Sequence, residues 1–423
     1  MAQPSRTEPP APSACPAGSA EASDREPDRS QAFAGAPPLR SLIGLALYLG
    51  AAGFGGGFSV LAMIRRETVD RRRWLTIEPF TEMLEVSKVL PGTSATNLFT
   101  LLGQRWYGAL GGAAAGVAFL FPSALLMLLL AVFYPELRRV ADLGAFLDGL
   151  GIAMVPIVGA VVFQIGRDAL RSVVDPFLAV FACGLMVFES VGLLDLALGA
   201  AAGGAALRFW QLRRTALPAE GGLPPTAPAL LPLSAWKGLA IGLGIAALPS
   251  LAVVFARIGA ATFGGGLVMI PAIQQQVVEL RHWLTPAEFS DAIAFGQVTP
   301  GPVAISATFI GFRVAGLAGA IVATVAMFSP AMVLSLLVGR GLDRFRRNEL
   351  VRGALRALGP AVIGMLLAAM VSLGQISLGS PLSLGITVVG LVALLVFELN
   401  PLWVLLGGGT STLLAARFFA ASF

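Results

Sequence analysis

A duplicated segment constrains this chain more than any other feature. The pattern Phe-Gly-Gly-Gly, Trp-Leu-Thr and Pro-Gly begins at Phe54 and returns at Phe263 with the same order and spacing. An ungapped alignment of residues 54–102 with residues 263–311 has identical residues at 15 of 49 positions. A repeat of this length indicates two copies of one structural unit, so both copies are expected to fold alike.

The composition places both copies in a lipid bilayer. Hydrophobic residues make up 56% of the 423-residue chain and charged residues only 13%, about half the charged share of a soluble domain. Four apolar runs could cross about 30 Å of hydrocarbon as helices, and they lack the alternation of barrel strands. These runs cover residues 108–133, 144–165, 316–338 and 353–373. We predict an all-α polytopic membrane protein with about ten transmembrane helices.

Two polar stretches flank the repeats. Residues 1–38 are rich in Pro, Ala, Ser and acidic residues and have no apolar run, so we predict a disordered tail that is not a signal peptide. Residues 213–235 form a proline-rich linker. The first membrane repeat is therefore predicted at residues 39–212 and the second at residues 236–423.

Basic residues occur in opposite loops of the two repeats. Residues 65–73 carry five Arg against two acids, whereas the equivalent residues 274–282 carry one Arg and one acid. The bias reverses in the next pair of loops, since residues 135–142 have two Arg and two acids and residues 340–356 have six Arg and two acids. Cytoplasmic loops keep the excess of basic residues, so loops 65–73 and 340–356 are predicted inside. The two repeats then have inverted topology.

Each repeat also contains a segment that is too polar and too interrupted for an ordinary span. Residues 76–104 and 285–311 are polar at the start and are broken by Pro91-Gly92 or by Pro300-Gly301-Pro302. Proline removes a backbone donor and glycine lets the chain turn, so we predict two re-entrant helical hairpins. Ahead of the first hairpin, residues 39–64 form either one crossing, which places the tail outside, or a broken helix, which keeps it inside.

The two glycine triplets are candidate substrate-binding elements. Glycine lets transmembrane helices pack closely, but three in a row would also unwind a helix locally. Together with the Pro-Gly turns, the triplets would bring several helix ends to one point, where free N–H groups and positive dipole ends suit an anion. Packing and anion binding both remain open for these residues, which are Gly55, Gly56, Gly57, Gly264, Gly265 and Gly266.

Polar and basic side chains surround the two turns. Short hydroxyl and amide groups could replace the hydration shell of an oxyanion, or they could cap the turns themselves. Arg105 and Arg313 begin the span after each hairpin, where they either extend to the interface or gate an anion. The other candidates are Lys88, Pro91, Gly92, Thr93, Ser94, Asn97, Gln297, Thr299, Pro300, Gly301, Pro302 and Ser306.

Acidic residues are duplicated within the same segments. Thr285-Pro286-Ala287-Glu288 is a capping box with proline at the first helical position, so Glu288 is predicted to be structural. Glu82 and its counterpart Asp291 lie beyond the first helical turn. A duplicated acid at membrane depth is a candidate for proton or cation coupling. The alternative is an ordinary solvated helix face.

The sequence argues against enzymatic, metal-binding and nucleic-acid-binding functions. His282 is the only histidine, and Cys15 and Cys183 lie in unlike contexts, so no metal site and no cofactor are expected. HExxH, GxSxG and phosphate-loop motifs are absent from the sequence. The arginines cluster at predicted helix ends, where membrane topology explains them better than nucleic acid does.

These motifs and their spacing resemble those of the chromate transporter family. The resemblance covers residues 39–418, and the second repeat carries it best. Its matching segments are Phe263-Gly-Gly-Gly, Trp283-Leu-Thr, Gln297-Val-Thr-Pro-Gly-Pro302 and Gly311-Phe-Arg313-Val-Ala-Gly316. The first repeat departs from this pattern, with Lys88 in place of Gln and Pro91-Gly92-Thr93 in place of Pro-Gly-Pro.

The resemblance implies a function and a location. Members of the family are short single-domain proteins that act in pairs or long two-domain chains, and they export chromate across the bacterial plasma membrane, which gives resistance. Sulfate has the same charge and nearly the same shape, so a carrier of sulfate or another anion is an alternative. A channel-like protein is a second alternative. The expected partners are a small inorganic oxyanion and the lipid bilayer. A homodimer is compatible with each of these functions.

Overall fold

The computed structural model of this chain consists of helices joined by short loops in its described residues, which are 36–53, 56–169, 174–188, 199–204, 206, 244–262, 266–339 and 349–420. Most of the predicted N-terminal tail and the whole predicted linker lie outside these ranges, as do Phe54, Gly55 and the segment 263–265. The predicted all-α class is confirmed for the described part of the chain.

The helices follow the same order in the two halves. Those of the first half are α1 (Leu39–Ala52), α2 (Gly56–Arg65), α3 (Ile77–Val89), α4 (Ser94–Arg139), α5 (Ala141–Ala169) and α6 (Val174–Phe188). Those of the second half are α7 (Leu248–Ala261), α8 (Ile270–Gln274), α9 (Pro286–Val298), α10 (Ser306–Gly339), α11 (Glu349–Ser377), α12 (Pro381–Leu395) and α13 (Pro401–Ala420). One π-helical turn follows α2 (Arg66–Arg71) and another follows α8 (Gln275–Leu280).

Four helical segments in the described residues are long and apolar enough to cross a membrane. They are Ser94–Arg139, Asp142–Arg167, Val303–Gly339 and Gly359–Ser377. Each overlaps one of the apolar runs predicted from the sequence. Many large apolar side chains on these helices face outward, including Phe121, Val325 and Leu337, which are more than half exposed. An outward apolar surface suits lipid, so the chain is a polytopic α-helical membrane protein.

The helix predicted at residues 39–64 is broken. Its first part, α1, has only 14 residues and ends at Ala52, because Gly53 is not helical. A helix of 14 residues is about 21 Å long, which is short of a full hydrocarbon crossing. The second half has the same interruption, because α7 also has 14 residues and ends just before the second glycine triplet.

The two longest helices each fold back at a glycine. α4 is interrupted at Gly108, which has a φ of 68°, and α10 is interrupted at Ala315 and Gly316, where the φ of Gly316 is 59°. These positive φ values are the left-handed region that glycine adopts without steric cost. The predicted spans 108–133 and 316–338 begin at these same two glycines.

Close glycine contacts show how α4 and α10 reverse. Gly103, ahead of the break in α4, lies so close to Gly111 behind it that an added Cβ would overlap the Gly111 backbone. Gly311 and Gly319 are in the same relation in α10. Small residues allow such close approach of helix backbones. The first arm of each helix therefore runs antiparallel to the start of its second arm.

The two halves of the chain are packed into one another. α4 packs against α10, α5 packs against α13, and α6 packs against α11. Gly149 on α5 is tight against Gly408 and Thr412 on α13, and the Thr412 hydroxyl donates a 2.8 Å hydrogen bond to the Ala145 carbonyl. The core therefore consists of helices from both halves.

Candidate functional site

Each Pro-Gly turn is hydrogen-bonded to the opposite half of the chain. The Gly92 N–H donates to the Thr262 carbonyl at 2.6 Å, and the Gly301 N–H donates to the Gly53 carbonyl at 3.0 Å. Thr262 and Gly53 directly follow α7 and α1, immediately ahead of the two Phe-Gly-Gly-Gly segments. The structure thus brings each predicted turn next to the residue that precedes the Phe-Gly-Gly-Gly segment of the other half.

Both turns also lie against the middle of a long helix from the opposite half. A Cβ added to Gly92 would overlap the side chain of Ala331, and one added to Gly301 would overlap the side chain of Ser123. Ser123 lies near the centre of the second arm of α4, and Ala331 lies near the centre of the second arm of α10. The turns therefore occur about halfway along the spans. Their φ values of 87° and 103° require glycine.

Buried polar side chains fill the first turn. The Asn97 amide nitrogen donates to the Pro91 carbonyl at 2.9 Å and to the Ser87 carbonyl at 3.3 Å. The hydroxyls of Thr93 and Thr96 lie 2.8 Å apart. Asn97 therefore caps the turn, as one of the two sequence interpretations states. Its Oδ1 atom is nevertheless buried without a hydrogen-bond partner in the described part of the chain.

The second turn also has buried polar side chains, but with a different hydrogen bond. The Thr299 hydroxyl donates to the Gly296 carbonyl at 3.4 Å, and the Pro302 residue precedes a 3-10 turn at Val303–Ile305. Ser306, the counterpart of Asn97, is fully buried, and its Oγ has no partner within the described ranges. An unpaired buried polar atom is costly in both turns, so each turn has unused hydrogen-bonding capacity.

The glycine triplets are described only in part. Gly55, Gly264 and Gly265 lie outside the described residues, while Gly56 and Gly57 begin α2. Gly266 begins a 3-10 turn, and a Cβ added there would be 3.4 Å from the Val303 Cβ and 3.5 Å from the Ala304 nitrogen. Gly266 is therefore adjacent to the backbone that follows the second Pro-Gly turn.

Side chains near the turns differ in exposure between the halves. Lys88 is exposed in the last turn of α3, whereas its counterpart Gln297 is half-buried in the last turn of α9. Pro91 and Pro300 are buried, and Ser94 is half-buried at the start of α4. Arg105 is exposed on the first arm of α4.

The two duplicated acids have contrasting surroundings. Glu82 is exposed on α3, but only 1% of Asp291 on α9 is exposed. The Tyr134 hydroxyl donates to Asp291 Oδ2 at 2.7 Å, and Arg138 Nε donates to the same oxygen at 2.8 Å. Another nitrogen of Arg138 lies 2.9 Å from Asp148 Oδ1 on α5. Asp291 therefore connects α9 to α4 through a buried ion pair.

Arg313 is held by a second ion pair at the same end of α9. Its guanidinium lies 2.6 Å from Glu288 Oε1 and 5.4 Å from the centre of the Tyr134 ring. The predicted capping box is present, since the Thr285 hydroxyl accepts from the Glu288 N–H at 3.2 Å. Burial acts to raise the pKa of Glu288, but hydrogen bonds from the Thr285 N–H and Arg313 outweigh it, and the pKa is lowered overall.

Sequence reasoning did not identify Tyr134, Arg138 and Asp148 as partners of Asp291. Tyr134 and Arg138 are four residues apart, which places them on one face of a helix. This spacing was the only sign in the sequence that the two side chains act together. Gln104 was also missed. Its amide nitrogen donates to the Leu336 carbonyl of α10 at 2.6 Å and so joins the two long helices. The described residues contain no cluster of three or more His, Cys, Asp or Glu side chains suited to a metal.

Broken helices that meet halfway along long spans are typical of one class of membrane protein, the α-helical transporters. The sequence profile of the chromate transporter family matches residues 41–207 and matches again at residues 249–413. The chain belongs to the chromate transporter family. It therefore consists of two family units in series, and it is a transporter rather than an enzyme.

Several curated relatives are similar along most of the chain. A probable chromate transport protein of Synechococcus elongatus is 32% identical over 363 residues, which cover 84% of this chain and 89% of that protein. Chromate transport proteins of Cupriavidus metallidurans and Pseudomonas aeruginosa are each 31% identical, over 80% and 81% of this chain and 84% and 83% of those proteins. No solved structure matches the chain.

Proposed function

We propose that this chain is a secondary transporter that exports chromate across the bacterial plasma membrane and thereby confers chromate resistance. The observation that carries the proposal is the pair of crossed hydrogen bonds, Gly92 to Thr262 and Gly301 to Gly53, which join both turns to the opposite half. Similarity to three proteins named for chromate transport supports chromate as the anion.

Hairpin geometry supports the re-entrant part of the proposal. α3 and α9 each have 13 residues, so each is about 20 Å long and does not cross about 30 Å of hydrocarbon. In the second hairpin, Gly296 lies near Ser306 at the turn, and Glu288 pairs with Arg313 at the far end. The two helices of this hairpin therefore run antiparallel. These lengths support a turn at mid-membrane with both ends of the hairpin at one face.

Crossed contacts and opposite loop charges together support inverted repeats. Each turn meets the same element of the other half, and each rests on the midpoint of the other half's long helix. Such reciprocity is expected of two repeats related by a pseudo-twofold axis near the turns. The arginine excess in loops 65–73 and 340–356 favours an axis in the membrane plane, because it puts equivalent loops on opposite faces.

The anion site is proposed at the two turns. Helices begin there at Ser94 and Val303, and neither start has a side-chain cap in the described structure. Helix N-termini present N–H groups and the positive end of the dipole to an anion. Thr93, Thr299, Asn97 and Ser306 add buried polar groups, and the exposed Lys88 adds a positive charge on the first hairpin.

Gly266 offers a test of this site that does not disturb the fold. Its added Cβ would meet only ordinary van der Waals neighbours near Val303 and Ala304, but the methyl group would cover nearby backbone N–H groups. We expect Gly266→Ala to keep its stability and to bind chromate and sulfate about tenfold more weakly. The control is Gly44→Ala on α1, which has open space around it. Unchanged binding in Gly266→Ala would place the site elsewhere.

Glu82 and Asp291 are proposed to couple transport to protons or cations. A dianion leaving a negative interior gains roughly 4–5 kcal/mol per 100 mV, so export does not require a co-ion. A coupling role would then appear as a pH dependence of the rate. We expect Glu82→Gln or Asp291→Asn to alter that dependence. A rate profile across pH that is the same as in wild type for both variants would assign Glu82 to an exposed helix face and Asp291 to its ion pair with Arg138.

Transport assays decide among chromate, sulfate and a channel. Cells that express the chain should accumulate less chromate than cells with an empty vector, and purified protein in liposomes should show saturable chromate counterflow. Sulfate counterflow without chromate counterflow would identify sulfate as the substrate of the same fold. A flux that does not saturate would indicate a channel. Equal accumulation in both cell lines, with no counterflow of either anion, contradicts the proposal.

A further inference from the structure

Equivalent faces of the two hairpins have different exposure. On α3 the residues Glu78, Thr81, Glu82, Glu85 and Lys88 lie along one face and are exposed. The equivalent positions of α9, found by adding 209 to each number, are Ala287, Ser290, Asp291, Ala294 and Gln297. The three central positions of this set are at most 7% exposed in α9. The centre of this helix face is exposed in α3 and buried in α9.

Two helices of the first half cover the α9 face. On α5, Gly151 lies so close to Ser290 that an added Cβ would overlap the serine hydroxyl. On α4, Tyr134 and Arg138 both donate to Asp291. Arg138 also reaches Asp148 on α5, so its guanidinium joins three helices.

The charges in this contact oppose its gradual separation. Arg138 has 27% of its side chain exposed, whereas Asp291 has 1%. Separation of such a pair without water entering would leave a buried carboxylate unpaired, which is strongly unfavourable. Separation is therefore expected to occur only when the α9 face becomes hydrated as a whole. The surface arginine next in sequence differs, since Arg139 is 78% exposed and pairs only loosely with Glu136 at 3.6 Å.

We propose that Tyr134, Arg138 and Asp148 form with Asp291 a gate that is closed in this structure. The gate seals the α9 face while the α3 face is open, and transport requires the two faces to exchange these environments. This inference goes beyond the proposed function, because it assigns the conformational state and the residues that hold it. It holds for any transported anion.

A matched pair of cysteine reporters tests the gate. Thr81→Cys and Ser290→Cys occupy equivalent positions on α3 and α9, one exposed and one 7% exposed. Each is introduced into the full chain with Cys15 and Cys183 replaced by Ser, and the rate of maleimide labelling is measured on purified protein in detergent. We expect fast labelling at position 81 and slow labelling at position 290.

Arg138→Gln is then added to each reporter. We expect labelling at position 290 to become about tenfold faster and labelling at position 81 to become slower, because loss of the guanidinium releases the α9 face. Electrostatics alone would act in the opposite direction, since an unpaired Asp291 disfavours the neighbouring thiolate. Arg139→Gln is the matched control and should leave both rates unchanged.

The outcomes separate a gate from a merely structural contact. Unchanged labelling at position 290 overturns the proposal. Faster labelling at position 290 with no change at position 81 would show that only the surroundings of α9 have loosened. That result also overturns the proposal, because the two faces would not have exchanged environments. If Arg138→Gln does not fold, Tyr134→Phe keeps the ring, removes one hydrogen bond to Asp291 and should shift both rates in the same directions by less. Labelling needs no substrate, so this test and the chromate assays fail independently.

Discussion

The hairpin of α3 and the hairpin of α9 share their backbone but not their surroundings. Both have a left-handed residue before the repeated tryptophan, Arg73 in one and His282 in the other, each with a φ of 50°. Both turns contain a glycine with positive φ. The backbone N–H of each tryptophan, Trp74 and Trp283, donates to the backbone carbonyl six residues earlier. The side chain equivalent to Asp291, however, is exposed on α3.

Local sequence and distant partners therefore determine different properties of a hairpin. The backbone follows from residues that both repeats retain, such as glycine at the turn. Burial follows from helices elsewhere in the chain, because α5 and the end of α4 cover α9. Substitutions at equivalent positions should therefore change stability equally where they alter a shared backbone feature. They should change stability unequally where the side chain is buried in only one hairpin.

The largest difference between the hairpins is expected at the duplicated acid. Asp291→Asn removes the charge that pairs with Arg138, so we expect it to lower the free energy of unfolding by about 3 kcal/mol. Glu82→Gln changes an exposed side chain and should stay within about 0.5 kcal/mol of wild type. Thermal unfolding in detergent measures both. Equal effects at the two positions would contradict the asymmetry described here.

An equal effect is expected at the two turn glycines. Gly92→Ala and Gly301→Ala each force an L side chain into a positive φ and against a helix of the other half, so each should cost about 2 kcal/mol. Gly44→Ala, with nothing near its Cβ, should be neutral or slightly stabilising. The same detergent unfolding assay applies, and a loss at only one turn would break the equivalence of the two backbones.

A smaller difference is expected where the hairpin helices begin. Thr285→Ala removes a capping box from α9, at a cost of about 1 kcal/mol. Thr76 forms no capping box with the first turn of α3, so Thr76→Ala removes no such box and should cost less than Thr285→Ala. The shift of the unfolding midpoint between each variant and wild type tests this order. A larger cost for Thr76→Ala would overturn it.

The smallest effect concerns acid sensitivity ahead of the first hairpin. Burial tends to raise the pKa of Glu67, but hydrogen bonds from Arg71 and Arg72 lower it below its ordinary value of 4.5. A lowered pKa contributes stability above the unfolded value, and this contribution is lost as the pH falls from 4.5 through the folded pKa. The loss should be roughly 1 kcal/mol or less, and Glu67→Gln should abolish it. Stability is compared at neutral and acid pH; an equal acid loss in the variant would refute this assignment.

Several parts of the fold could be predicted from the sequence because they depend on neighbouring residues. The capping box at Thr285, the breaks at the Pro-Gly turns and the starts of the spans at Gly108 and Gly316 all reflect local chemistry. The predicted apolar runs overlap the long helices for the same reason, since hydropathy is a property of a continuous segment.

The partners of the site residues could not be predicted in this way. Asp291 and Tyr134 are 157 residues apart in sequence, and no periodicity connects them. Arg313 illustrates the same limit, because sequence suggested an anion gate or an interfacial side chain, whereas the structure pairs it with Glu288. Long-range pairing depends on how the halves pack, and a single sequence contains no direct signal of that packing.

The crossed turns have a consequence for how the protein is made. Thr262, which accepts the hydrogen bond from the Gly92 N–H, follows Gly92 by 170 residues in the chain, 262 minus 92. A ribosome adds about 5–20 residues per second, so the first turn is synthesised many seconds before its partner exists. During that interval the first Pro-Gly turn lacks its native hydrogen-bond partner. Completion of its fold therefore depends on membrane insertion of the second half, and a nascent chain that stops after residue 212 has no native partner for this turn.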